Sequence, residues 1–183
     1  MILILPGLND SGPDHWQSHW ERHDARCHRV VQDEWDAPRC ADWVVRLDET
    51  VAQCESPVVL VAHSSACAMV AHWAASATAV QHAKVRGALL VGPSDPEGAH
   101  YPAEPTGFAP VPLHTLPFRS IVVGSTNDPY VSLEQARAYA RAWGSRMEVL
   151  VGAGHINTAS GHGPWPEGHS LLNELMTEGD QHG

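Results

Sequence analysis

The chain has 183 residues, 43% of them hydrophobic, with no low-complexity tract, which suits one ordinary globular domain able to bury a core. Lys plus Arg is 11 and Asp plus Glu is 21, a formal charge of −10 that argues against nucleic acid and anionic membrane surfaces as partners. The four cysteines (27, 40, 54 and 67) lack C-x-x-C spacing and are expected to be reduced thiols in a cytoplasmic protein.

The chain opens on MILIL, five apolar residues without a basic flank, too short for a leader or a spanning helix. Residues 1–5 are predicted as a buried first strand. A turn, LPGLNDSG, and a helix over residues 14–22 follow. A short strand is expected at 28–31. Trp43, Val44, Leu47 and Val51 recur at helical spacing and predict a helix over 39–55. Residues 57–62 are continuously apolar, the sign of a strand buried on both faces. An Ala-rich helix is predicted over 66–79, strands at 86–91 and 120–123, a helix over 133–143, a strand at 146–151 and a helix over 168–177. Six strands alternating with helices imply a mostly parallel sheet covered on both faces, in a single α/β domain spanning 1–183. The Pro- and Gly-rich stretch 93–119 is a surface excursion, too short for a second domain or a large lid.

The corner between residues 62 and 66 reads A-H-S-S-A. A nucleophile elbow turns so sharply from strand into helix that the residues two before and two after its serine must be small. Centred on Ser64 the flanks are Ala62 and Ala66; centred on Ser65 they are His63 and Cys67. Ser64 is therefore the candidate nucleophile, and Ser65 the residue whose backbone N–H helps hold an oxyanion. The plainer reading is that Ser64 only caps the helix. A serine needs a histidine to take its proton and an acid to orient that histidine. Asp128 follows the strand SIVVG and His155 follows MEVLVG, each beyond a strand's C-terminal end, where crevices form in parallel sheets. Their chain order, Ser–Asp–His, is that of the α/β-hydrolases. Asp95, in VGPSD, is the rival acid. A second oxyanion N–H is expected in the loop after the first strand, from Leu8 or Asn9, where Gly7 permits close approach.

Four segments, LPGLNDSGPDHWQSHWE, VVLVAHSSACAMVAHW, LPFRSIVVGSTNDPYVSLEQARAYARAWGS and GHINTASGHGPWPEG, resemble the small serine hydrolases related to retinoblastoma-binding protein, a compact branch of the α/β-hydrolases. The resemblance runs from the first strand to about residue 175. Ser65 and Ala66 depart from its usual Leu and Gly, and His162 from a common leucine. It implies Ser64 as nucleophile, Asp128 as acid, His155 as base, and hydrolysis of small esters or related acyl compounds without a cofactor. It also places Asp14, His15 and Trp16 around the site. By analogy with that core the strand order is 2-1-3-4-5-6.

His15 and Trp16, with Trp165 beyond the histidine loop, are the expected pocket residues. The short 93–119 connection predicts a shallow site for short acyl groups. His15, His19 and His23 share a helical face, but Trp16 and Trp20 accompany them on the neighbouring stripe and no Cys or Glu cluster is nearby, so no metal site is expected. Cys67 is expected to face the sheet rather than act as a thiol nucleophile. A protein-binding module on a hydrolase scaffold, or a small peptidase with the same three residues, are the alternatives.

Overall fold

A computed structural model describes residues 1–177. One sheet organises them: six parallel strands in the order β2-β1-β3-β4-β5-β6. The strands are β1 (Ile2–Leu5), β2 (Cys27–Arg29), β3 (Val58–His63), β4 (Val85–Val91), β5 (Arg119–Ser125) and β6 (Arg146–Leu150). The expected order and the parallel pairing both hold. Every residue of β1 and β3 is buried, which is why these segments carry apolar side chains on both faces rather than alternating.

Two cores flank the sheet. On one side α2 (Cys40–Gln53), α3 (Ser65–Ser76) and α5 (Leu133–Trp143) cover Leu3, Leu60, Leu90 and Val122. On the other, α1 (Trp16–His23) and α6 cover Ile2, Ile4, Val61 and Leu89. α6 begins at Pro166 and reaches Thr177, two residues earlier than expected, because proline suits the first helical position. α1 starts two residues later than expected. His15 is its extended N-cap, and the imidazole Nδ1 accepts from the Gln17 N–H at 3.2 Å. The Ala-rich helix stops at Ser76. A short helix, α4 (Ala79–His82), follows, closed by a capping box between Thr78 and Gln81 that hydrophobic spacing did not reveal.

The 93–119 excursion is bound to the body. Thr106 pairs with the start of α2 through the Cys40 N–H to Thr106 carbonyl bond (2.8 Å), and Phe108, Val111 and Leu116 are buried. His72 of α3 also donates to the Phe108 carbonyl at 3.0 Å.

Gln17 is a polar tie inside the second core. It is fully buried, donates to the carbonyls of Leu5 and Val61 (3.1 Å each), and accepts from Ser11 Oγ at 2.6 Å. It thereby fixes α1 against the C-terminal ends of β1 and β3, the two strands that lead into the site. Gln17→Met keeps the volume but strips three groups of their partner. It is expected to cost about 2–3 kcal/mol in urea unfolding, whereas a cost below about 0.5 kcal/mol would show that the tie is dispensable.

Candidate active site

The C-terminal ends of β1, β3, β4, β5 and β6 meet around one cavity. Ser64 sits between β3 and α3 with φ 60° and ψ −126°, a backbone state that side-chain-bearing residues rarely adopt. The turn survives because its surroundings are small and close. Ala62 and Ala66 are wholly buried, and a Cβ on Gly7 would lie 2.8 Å from Ser64 Cβ. The Ser64 N–H is held by the Val91 carbonyl at 2.9 Å. Ser64 does not cap α3 through its side chain. The hydroxyl instead lies 2.9 Å from His155 Nε2.

His155 Nδ1 is 2.8 and 3.0 Å from the two Asp128 oxygens, and both side chains are almost entirely buried. A carboxylate only accepts, so the imidazole proton sits on Nδ1 and Nε2 is left to accept from the Ser64 hydroxyl. Serine, histidine and acid thus stand in the hydrogen-bonded sequence that general-base activation of a hydroxyl requires. The rival acid takes no part: Asp95 accepts from the Glu97 N–H (3.0 Å) and the Tyr139 hydroxyl (3.3 Å).

The loops bearing the acid and the histidine are clamped to each other. The Tyr130 N–H donates to Asp128 Oδ1 at 2.9 Å. The Gly154 N–H donates to Asn127 Oδ1 (2.7 Å) and the Ala153 N–H to Ser125 Oγ (3.0 Å). His63, the residue before the elbow serine, donates from Nε2 to the His155 carbonyl at 2.9 Å. Gly92, with φ 54°, passes beneath the pair: a Cβ there would lie 3.4 Å from both Asp128 Oδ2 and His155 Nδ1.

The expected pocket residues divide. His15 lines the cavity. Trp16 and Trp165 do not; they are 0% and 6% exposed and pack edge-to-face at 5.1 Å behind it. Trp16 serves the site indirectly, donating from Nε1 to the Ile156 carbonyl (2.8 Å) next to His155. Asn9 is likewise corrected as an oxyanion donor. Its backbone N–H is committed to the Trp35 carbonyl at 2.9 Å, so of the two expected loop amides only Leu8 remains. Asn9 still contributes to the cavity wall. Next to it, Asp10 is paired with Arg29 at 2.7 Å, which neutralises its charge beside the site.

Among the wall residues that escaped the sequence reading are Ser94, Tyr101 and Tyr130. Tyr130 packs edge-on against His155 at 4.7 Å, and the Tyr101 hydroxyl lies 2.9 Å from Ser65 Oγ. The D-P-Y run after Asp128 was a signal for Tyr130; no local pattern marks the other two. The cavity they enclose measures about 190 Å³.

All four cysteines are buried and unlinked, and burial pushes the Cys67 thiol far above its ordinary range beneath the elbow. Among the described residues, no three His, Cys, Asp or Glu side chains are grouped to hold a metal ion. His19 and His23 stack at 6.3 Å, while His15 turns inward against His63 at 4.8 Å.

Residues 2–174 match the serine hydrolase family. The chain belongs to this family. No curated protein matches it. Among solved structures it is similar to a protein described as a YdeN-like hydrolase from Pectobacterium atrosepticum, at 31% identity and a TM-score of 0.83 over 96% of this chain and 89% of that one. The ydeN gene product from B. subtilis superposes with a TM-score of 0.74 at 19% identity, over 96% and 98% of the two chains. Thermogutta terrifontis esterase 2 superposes with a TM-score of 0.68 at 16% identity, over 97% and 82%.

Two buried histidines predict that stability falls in acid. Burial, then the neighbouring Arg29 and His155 charges, lowers His15 from 6.5 to about 4, and burial lowers His63 in the same direction. The unfolded chain takes up protons near pH 6.5 that the folded chain refuses until about pH 4. Stability is therefore expected to be full above pH 6.5 and to fall toward pH 4, by about 3 kcal/mol from His15 alone. Urea midpoints at pH 7.5, 5.5 and 4.5 check this, and His15→Gln should flatten the profile. A profile equally steep in that variant would contradict it.

Proposed function

We propose that this serine hydrolase cleaves small carboxylic esters or related acyl compounds through an acyl-enzyme on Ser64. The reading is carried by the continuous line from Ser64 Oγ to His155 Nε2 (2.9 Å) and from His155 Nδ1 to Asp128 (2.8 Å), opening on one cavity. Ser64 attacks the acyl carbonyl as His155 takes its proton. The imidazolium, steadied by Asp128, returns that proton to the leaving alcohol. The N–H groups of Ser65, at the start of α3, and of Leu8 hold the oxyanion. Water then attacks the acyl-enzyme with His155 again as base. No step needs a cofactor.

Substrate size follows from the cavity. About 190 Å³ falls below the roughly 300–1,000 Å³ of pockets that enclose drug-sized ligands. Tyr101 and Pro102 of the excursion form part of its wall, so short acyl groups fit and long ones would have to project. The narrower kinship with hydrolases related to retinoblastoma-binding protein rests on the four sequence segments alone. A cytoplasmic setting is supported by the four unlinked thiols. The net charge of −10 favours a small-molecule substrate over nucleic acid. No helix among the described residues is long and apolar enough to cross a membrane.

A p-nitrophenyl ester series from acetate to decanoate tests this. The expected kcat/KM is highest at acetate to butyrate and at least about tenfold lower at decanoate. Asp128→Asn should lower kcat by about 10³-fold or more, as loss of the orienting acid does in other triads. A preference for long chains, or an Asp128→Asn variant as active as wild type, would overturn the reading.

A further inference from the structure

Ser64 Oγ has a second hydroxyl partner that the Ser–His–Asp line does not use. Ser94 Oγ lies 2.8 Å from it, on the loop that leaves β4. Ser94 is 3% exposed and lines the cavity beside Ser64 and His155. Its loop is fixed on either side, by the Gly92 N–H to Val123 carbonyl bond (2.8 Å) and the Asp95 N–H to Tyr130 carbonyl bond (3.0 Å). The second of these joins it to the loop bearing Asp128. Ser94 is therefore a hydroxyl held on the reacting atom from a rigid mount.

Proton counting fixes the direction of the bond. His155 carries its proton on Nδ1, facing Asp128, so its Nε2 accepts the only proton Ser64 has to give. The Ser64–Ser94 contact then needs its proton from Ser94. The hydroxyl of Ser94 donates and Ser64 Oγ accepts.

From this geometry, and resting on the acyl-enzyme reading above, we propose that Ser94 is a further catalytic residue, acting on the departure of Ser64 in deacylation. In that step water adds to the acyl carbon while His155 Nε2 takes one of its protons. The tetrahedral adduct then collapses: the C–Oγ bond breaks, its electron pair moves to Ser64 Oγ, and His155 returns the proton there. The acid product is released. Negative charge grows on Ser64 Oγ as the bond breaks, and a donor already 2.8 Å away stabilises that charge without reorganising. Before acylation the same bond stabilises the resting hydroxyl as well as the developing alkoxide, so its net effect on attack is smaller. Ser94 thus favours turnover of the acyl-enzyme over its formation.

The test uses p-nitrophenyl acetate, whose good leaving group makes acylation fast, with wild type, Ser94→Ala and Ser94→Thr. Losing a donor to a charge-bearing oxygen is expected to lower kcat about tenfold or more in Ser94→Ala. KM should fall alongside it, holding kcat/KM within about threefold, because kcat/KM does not include deacylation. Acid-quenched digests should show the Ser64 peptide mostly acetylated at steady state, and Ser94→Thr, which keeps the hydroxyl, should recover much of kcat. A loss of kcat/KM as large as that of kcat, with KM unchanged and no accumulated acetyl-Ser64, would overturn the proposal in favour of a packing role. Kinetics identical to wild type would overturn it too. Wild type that never acetylates Ser64, even in rapid-quench samples, would overturn the acyl-enzyme reading itself, and the Ser94 role with it.

Discussion

The corner at Ser64 is the constraint on which the rest of the site depends. A residue with a side chain is held at φ 60° between a fully buried strand and a helix whose first seven residues are all buried. Such a backbone state costs of the order of 1–3 kcal/mol and persists only where its surroundings leave no alternative. Here they are Gly7 pressed against Ser64 Cβ, alanines at 62 and 66, and the Val91 carbonyl on the Ser64 N–H. The strain lifts the hydroxyl out of the sheet and aims it at His155. Alanines at 62 and 66 stand where the elbow pattern has glycines, and both are part of the packed core.

Support for the histidine is distributed over chain segments far apart in sequence. Trp16 and His63 each hold a carbonyl of the 155–156 stretch, while Asn127 holds the Gly154 amide. These bonds come from α1, β3 and the β5 loop, so His155 is positioned by the same sheet order that places Ser64 and Asp128. Gln17 carries the arrangement one layer further, fixing α1 to β1 and β3. The aromatic residues expected on the pocket wall turn out to be this support. Trp16 and Trp165 are both buried in the apolar core on that face of the sheet.

Much of this was legible in the sequence because the sheet is parallel. Strands buried on both faces announce themselves as apolar runs, and the residue following such a run lies at the functional end of the sheet. Ser64, Asp128 and His155, whose side chains meet, were each picked out in that way, and the observed strand order was expected by analogy. What stayed hidden depends on contacts that no local pattern encodes. Leu8 and Asn9 are equivalent in sequence; only the Trp35 carbonyl, brought in from the loop beyond β2, removes the Asn9 amide from use. Ser94 stands in the irregular stretch 93–119 with no motif around it, and it acquires meaning only because the β4 loop ends against the elbow. His63 reads as a flank too large for an elbow centred on Ser65, yet its ring holds the His155 carbonyl.

The central claim is that Ser64, and not its neighbour, is the activated hydroxyl. Fluorophosphonate labelling followed by peptide mapping addresses it directly, with wild type beside Ser64→Ala and Ser65→Ala. The account predicts one modified residue, Ser64, in wild type and in the Ser65 variant, and none in Ser64→Ala. Folded wild-type protein that resists the probe, or a label on Ser65, would contradict it.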